Sequence, residues 1–367
     1  GLQLPGSSFI NPGTPMREAM TRLTTQRAAA ITAMGDNFTP AADVITVKAV
    51  VNGIAGLMAT GGSTNLAIHL IAMARSAGII INWTDFADMS HAVPLISKIY
   101  PNGLADVNHF HAAGGMSYLI GELLAAGLLH DDVTTVAGDG GLSRYTQEPR
   151  LGPDGDITYV DGARVSGDPE ILATVSSPFR SDGGLALMAG NLGRGVMKIS
   201  AVKREHHIIK APARVFDDQN ALMDAFKAGE LEQDLIAVIR FQGPSANGMP
   251  ELHKLTPVLG ILQDRGFKVA LVTDGRMSGA SGKVPAAIHM VPEALHGGPL
   301  SKIKDGDIIS LDATSGTLNV TGDIEARSPA KAPRSNNAEL GMNMFSGLRK
   351  NITPAEQGAS VLGWLDD

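Results

Sequence analysis

Cysteine is missing from all 367 residues. That absence excludes disulfides, zinc–thiolate sites and iron–sulfur ligation by this chain's own side chains. A basic excess is missing too: 30 Lys and Arg stand against 37 Asp and Glu, for a net charge of −7 spread along the sequence. A nucleic-acid binder should show a basic patch, so that class is disfavoured. No apolar run approaches the roughly 18 residues of a membrane span, and no signal peptide opens the chain. A cytoplasmic setting is expected. The first residue is Gly, not Met, and residues 1–6 read as the tail of an element already under way. The expectation is a fragment of a longer protein.

What is present suits a folded chain: 44% hydrophobic and 18% charged residues, with length for two domains. At the amino end, Thr14 is placed to cap a helix over 16–34, with Pro15 at its first position and Glu18 in its first turn. Residues 44–51 fit a strand or another helix. In 59–79, Leu66, Leu70, Met73 and Ala77 fall at helical spacing, with Gly78 as the stop. Gly61, Gly62, Ser63, Thr64 and Asn65 precede that helix, where backbone N–H groups favour an anion. Ser63 or Thr64 could equally be a plain N-cap, and the two roles are compatible. Residues 85–100 read as helix interrupted at Pro94, and 116–126 as a further helix.

Composition shifts toward Gly, Asp, Pro and Thr over 131–168, which suggests a connector and a domain boundary near 179–184. The predicted division is 1–180, 181–330 carrying the reactive loop, and a tail over 331–367. Residues 185–202 and 207–216 read as short β elements, 234–241 as a strand, 251–264 as a helix and 267–273 as a strand buried on both faces. Strand, helix, strand is a βαβ unit, so both strands should run parallel and their following loops should leave one edge. Glu251 and Ser278 would then face a common crevice. The apolar stretch after Gly282 reads as the start of a helix, 308–312 and 317–321 as a hairpin, and 325–350 as loop with a short helix near 344–349. No internal repeat is visible.

The loop after Thr273 carries Asp274, Arg276, Ser278, Ser281 and Lys283 among three glycines. A P-loop is excluded by spacing: Met277 stands where its first glycine belongs and Val284 where Ser or Thr must follow the lysine. The dinucleotide fingerprint is absent, and Ser278 lacks the nucleophile-elbow context. Ser278 in the loop and Glu251 on the neighbouring edge remain, against the plainer possibility that Ser278 satisfies turn N–H groups. His109 and His111 lack a third ligand and are read as polar loop residues. His206 and His207, adjacent on a strand, would face opposite ways and could not grip one ion.

The stretch 270–294, ALVTDGRMSGASGKVPAAIHMVPEA, resembles the signature of the dihydroxy-acid dehydratase / 6-phosphogluconate dehydratase family, and 1–12, 59–79 and 243–255 agree. The Ser-Gly-Ala-Ser-Gly-Lys loop looks like the 6-phosphogluconate branch. The resemblance implies an α/β fold, in which a partial cluster- and metal-binding α/β domain is followed by a β-rich, barrel-like domain. It implies a hydro-lyase that converts 6-phospho-D-gluconate to 2-dehydro-3-deoxy-6-phosphogluconate in the Entner–Doudoroff pathway. Family members are cytoplasmic homodimers with an iron–sulfur cluster (4Fe-4S or 2Fe-2S) and Mg²⁺ or Mn²⁺. By position, Ser278 matches the base and Glu251 a metal ligand. Lys283 is expected to take the phosphate, with Arg276, Ser63, Thr64 and Asn65 as further substrate contacts. The family's cluster cysteines lie upstream of LPGSS, so this stretch alone is expected to be inactive. The alternatives are a sister dehydratase for another sugar acid or dihydroxy acid, and a cluster-less sugar-phosphate-binding protein.

Overall fold

The computed structural model describes residues 1–277, 282–333 and 342–362. Along the chain come α1 (Pro15–Ala30), α2 (Ala41–Val44), α3 (Val47–Thr60), α4 (Leu66–Ser76), α5 (Trp83–Ala92), α6 (Val107–Ala112) and α7 (Gly115–Ala125). A hairpin of β1 (Gln147–Leu151) and β2 (Ile157–Asp161) follows, then β3 (Leu185–Gly190), β4 (Gly193–Lys198) and β5 (Ile208–Phe216). The rest is α8 (Gln219–Lys227), β6 (Leu235–Ile239), α9 (Pro244–Asn247), α10 (Leu255–Asp264), β7 (Val269–Thr273), β8 (Ala286–Val291), β9 (Ile308–Asp312), β10 (Thr317–Val320) and α11 (Met342–Lys350).

The chain forms two compact units, Gly1–Gly61 with His91–Gly183, and Gly62–Ser90 with Gly184–Asp367. The first is built from helices and the β1–β2 hairpin. Thr14 caps α1 by accepting from the Arg17 N–H, and Pro15 opens the helix, as the sequence predicts. Residues 44–51 turn out helical, shared between α2 and α3. His109 closes a capping box with Asp106 on α6, and His111 stacks on Phe9, so both histidines serve local structure. The connector over 131–168 contains the antiparallel β1–β2 ladder, which its weak periodicity concealed.

The second unit is a closed barrel of order β10-β3-β4-β8-β7-β6-β5-β9. Strands β5, β6, β7 and β8 run parallel, with α8 between β5 and β6 and α10 between β6 and β7. Both β6 and β7 are buried along their whole length, which explains their unbroken apolar sequences. Ile236, Val238, Ala270, Val272, Met290 and Leu311 belong to the core that fills the barrel. The β9–β10 hairpin is antiparallel, as expected.

One expectation is corrected. The stretch after Gly282 does not start a helix: residues 286–291 are β8, parallel to β7 and antiparallel to β4. Ala286, Ala287, Ile288 and Met290 are suited to a helix by composition. Tertiary pairing decides otherwise, because β7 and β4 each present backbone groups that only an intervening strand can satisfy.

Candidate active site

Strands β6 and β7 end side by side, and a buried carboxylate holds their exits together. Asp274 accepts from the backbone N–H of Gln242 at 2.9 Å, Phe241 at 3.2 Å and Ala294 at 2.9 Å. Burial pushes its pKa up to about 6, against the pull of those three donors. Gly275 follows because there is no room for a side chain: a Cβ would stand 2.7 Å from both Gln242 Cβ and Leu252 Cδ1.

Beyond Gly275, Arg276 and Glu251 form an isolated parallel bridge, and Leu252 N–H donates to the Arg276 carbonyl at 3.1 Å. The Arg276 side chain donates from Nε to the Met249 carbonyl at 2.6 Å and sets Nη1 at 3.6 Å from Glu251 Oε1. Asn65, just before α4, donates from Nδ2 to the same Oε1 at 2.6 Å. Its own Oδ1 is buried and has no hydrogen-bond partner among the described residues. Thr64 Oγ1 donates to the Met277 carbonyl at 2.7 Å. Ser63 Oγ accepts from the Asn65 N–H at 3.2 Å, closing a local turn rather than capping α4. The first N–H groups of α4 are engaged in the same turn, Leu66 with the Ser63 carbonyl and Ala67 with that of Thr64.

The structure therefore gathers Glu251, Arg276, Asn65 and Thr64 around the backbone that leads to Ser278. Ser278 itself lies outside the described residues. Lys283 is placed elsewhere: its ammonium pairs with Asp264 at the end of α10.

Two residues that the sequence reading passed over stand beside this group. Lys198 ends β4 and donates from Nζ to the Gly62 carbonyl at 3.2 Å. His289 is fully buried, and neither ring nitrogen has a hydrogen-bond partner among the described residues. Its backbone adopts φ 63° where the β4–β8 register shifts, a bulge that re-aims the imidazole toward the Trp83 ring, 6.2 Å away. Burial, with Arg276 and His69 nearby, drives its pKa down to about 3, so it is a neutral group. The misreading of 286–291 as helix hid His289. Lys198 was hidden by its place at the end of an ordinary-looking strand.

A carboxylate, an amide and a guanidinium thus meet at the strand ends of an α/β barrel protein. The sequence profile described as Dihydroxy-acid/6-phosphogluconate dehydratase C-terminal matches residues 170–359, and its N-terminal counterpart matches residues 1–142. The chain belongs to the dihydroxy-acid/6-phosphogluconate dehydratase family. It is 57% identical over 366 residues to a phosphogluconate dehydratase of Rhizobium meliloti, covering 99% of this chain and 60% of that protein. It is 53% identical to one of Escherichia coli K12, again with 99% and 60% coverage. A dihydroxy-acid dehydratase of Ignicoccus hospitalis is 37% identical over 326 residues, 88% of this chain and 55% of that protein. The chain thus spans about 60% of the length of the phosphogluconate dehydratases it matches.

Proposed function

We propose that the protein dehydrates 6-phospho-D-gluconate to 2-dehydro-3-deoxy-6-phosphogluconate, working as a cytoplasmic homodimer. The higher identity to phosphogluconate dehydratases, 57% against 37% for the dihydroxy-acid enzyme, favours this substrate over a branched-chain dihydroxy acid. The observation that carries the reading is the Asn65–Glu251–Arg276 cluster, joined through Thr64 to the residue preceding Ser278.

In this reaction the C2–H and C3–O bonds break, a C2=C3 bond forms, and one water leaves. The resulting enol then tautomerises to the 2-keto acid. Removing a proton α to a carboxylate places a second negative charge on that group, so the site must stabilise charge where it develops. Glu251 and Asn65 offer oxygen donors of the kind Mg²⁺ or Mn²⁺ takes, and the buried, unpartnered Asn65 Oδ1 fits such a role. Among the described residues no group of three His, Cys, Asp or Glu could complete a cage, so water, substrate or other residues must fill the remaining positions. The bound cation would supply Lewis-acid stabilisation of the substrate carboxylate. An iron–sulfur cluster finds no thiolate in this chain, and no step is assigned to it.

The chain's own groups then divide the work. Asn65 fixes one oxygen of Glu251, and Arg276, braced on the Met249 carbonyl, brings positive charge to the same oxygen. Thr64 pins the Met277 carbonyl and so sets the start of the loop. Ser278 accepts the C2 proton. His289, whose backbone N–H donates to the Gly275 carbonyl beside Arg276, is fully buried and neutral, so fixed charges near it act in a dry surrounding.

Glu251→Gln in the full-length enzyme is expected to weaken Mn²⁺ binding, followed by electron paramagnetic resonance, by at least about 100-fold; even outer partners of metal ligands are worth about 10–100-fold. Mn²⁺ affinity equal to wild type would remove Glu251 from the metal site.

A further inference from the structure

His289 gathers several unfavourable features in one residue. Its side chain is wholly buried, and both ring nitrogens are without a hydrogen-bond partner among the described residues. Its backbone holds φ 63°, a region that residues other than glycine seldom enter. Buried polar atoms left unpaired weaken a fold, and so does a left-handed backbone away from glycine. Phenylalanine would fill the same space beside Trp83 without stranding a polar atom, so packing alone does not call for an imidazole. The ring nitrogens suit a partner that reaches them in another state of the site.

The neighbours narrow the choice. The Trp83 indole N–H is already given to the Ala67 carbonyl at 3.0 Å. His69 is exposed on α4, where water serves it. Arg276 remains. It follows Gly275, whose carbonyl accepts the His289 backbone N–H at 2.9 Å. Its Nε is held by the Met249 carbonyl at 2.6 Å, while Nη1 stands 3.6 Å from Glu251 Oε1, an ion pair beyond hydrogen-bond distance. The guanidinium thus has N–H groups to give. His289, kept neutral by burial and by the Arg276 charge, has a ring nitrogen that can accept one.

Glu251 supplies the reason for a move. Asn65 Nδ2 and Arg276 Nη1 both address its Oε1. A divalent cation on that carboxylate would crowd the guanidinium, and like charges repel strongly where water is partly excluded. An arginine turning away needs a second acceptor. A neutral imidazole provides one without adding a negative charge that would draw the cation off Glu251. We propose that His289 is a positioning residue, the second seat of Arg276. The guanidinium rests on Glu251 in the arrangement described above and turns to the imidazole when Glu251 takes a cation, pivoting on the Nε bond to the Met249 carbonyl. This rests on the metal site proposed above.

The test uses the full-length enzyme and reads Mn²⁺ affinity by electron paramagnetic resonance, which needs no turnover. In His289→Phe, Arg276 loses its second seat and keeps competing for Glu251. The Mn²⁺ Kd should rise about 10- to 100-fold, the usual worth of a partner behind a metal ligand. His289→Asn should recover much of that loss, because asparagine tolerates the left-handed backbone and offers an acceptor oxygen. In an Arg276→Met background, His289→Phe should change Kd by less than about twofold, since the group it serves is gone. If His289→Phe does not fold, His289→Gly accepts the backbone, lacks the acceptor and carries the same cycle. Wild-type Mn²⁺ affinity in the acceptor-less variant would overturn the proposal. So would a loss of equal size with Arg276 already replaced, which would make His289 a residue of the fold alone. Mn²⁺ affinity that ignores Glu251→Gln would instead overturn the metal site, and this inference with it.

Discussion

Ser278→Ala in the full-length enzyme is expected to lower kcat for 6-phosphogluconate by about 10²–10⁴, the usual worth of a positioned acid or base. KM should stay within a few-fold of wild type. The reasoning is chemical: a methyl group cannot accept the C2 proton, yet it removes no charge that binds substrate or metal. Binding therefore persists while the proton transfer loses its acceptor. Circular dichroism and Mn²⁺ affinity matching wild type would show that the fold and the metal site survive. Turnover within about tenfold of wild type would assign the base to another group. On the proposed role, the base would follow a fixed point of the backbone, since the Thr64 hydroxyl donates to the Met277 carbonyl.

Asp274→Leu should destabilise the second unit by about 3 kcal/mol, measured by urea denaturation. The carboxylate accepts three backbone N–H groups from two loops, those of Phe241, Gln242 and Ala294. Leucine removes the acceptor that these N–H groups share, at about 1–3 kcal/mol for each one left unsatisfied, offset in part by relief of a buried charge. The same carboxyl leaves a signature in pH. Its pKa is raised from 3.8 to about 6, so across that interval the folded protein retains a proton the unfolded chain has released. Stability consequently falls as pH rises through the interval and levels off above about 6. The leucine variant should lack that part of the slope. A variant as stable as wild type with an unaltered pH profile would show that the loops are held by other means.

Much of the barrel was legible in residue order because its strands are strongly patterned. The strands β6 and β7 carry unbroken apolar runs, and Thr14-Pro15 announces a helix start through local hydrogen bonding alone. The loop after Thr273 stood out by its density of polar groups among glycines. Strand β8 was not legible, because Ala-Ala-Ile-His-Met-Val has no local preference that opposes a helix, and one of its pairing partners, β4, lies far back in the chain, Arg194 facing Val291. The failure was costly for the site, since it concealed His289 inside a supposed helix. The surroundings of the lysines were hidden for a related reason. Lys283 sits in the recognisable loop but turns to Asp264, whereas Lys198 reaches the Gly62–Asn65 stretch from a strand that nothing in the sequence joins to it.

The second unit is assembled from two stretches of chain, Gly62–Ser90 and Gly184–Asp367. During synthesis the earlier stretch leaves the ribosome long before the strands it needs. Thr64 and Asn65 wait for Met277 and Glu251, and Trp83 waits for His289. At about 5–20 residues per second, that interval lasts on the order of ten seconds or more. For that time the apolar face of α4, with Ala67, Ile68, Ile71 and Ala74, lacks the later parts of the unit that bury it, among them the turn at Ala355–Gln357 that packs on this helix. The nascent chain should therefore engage a chaperone at this segment in particular, and release it only once that late stretch has emerged.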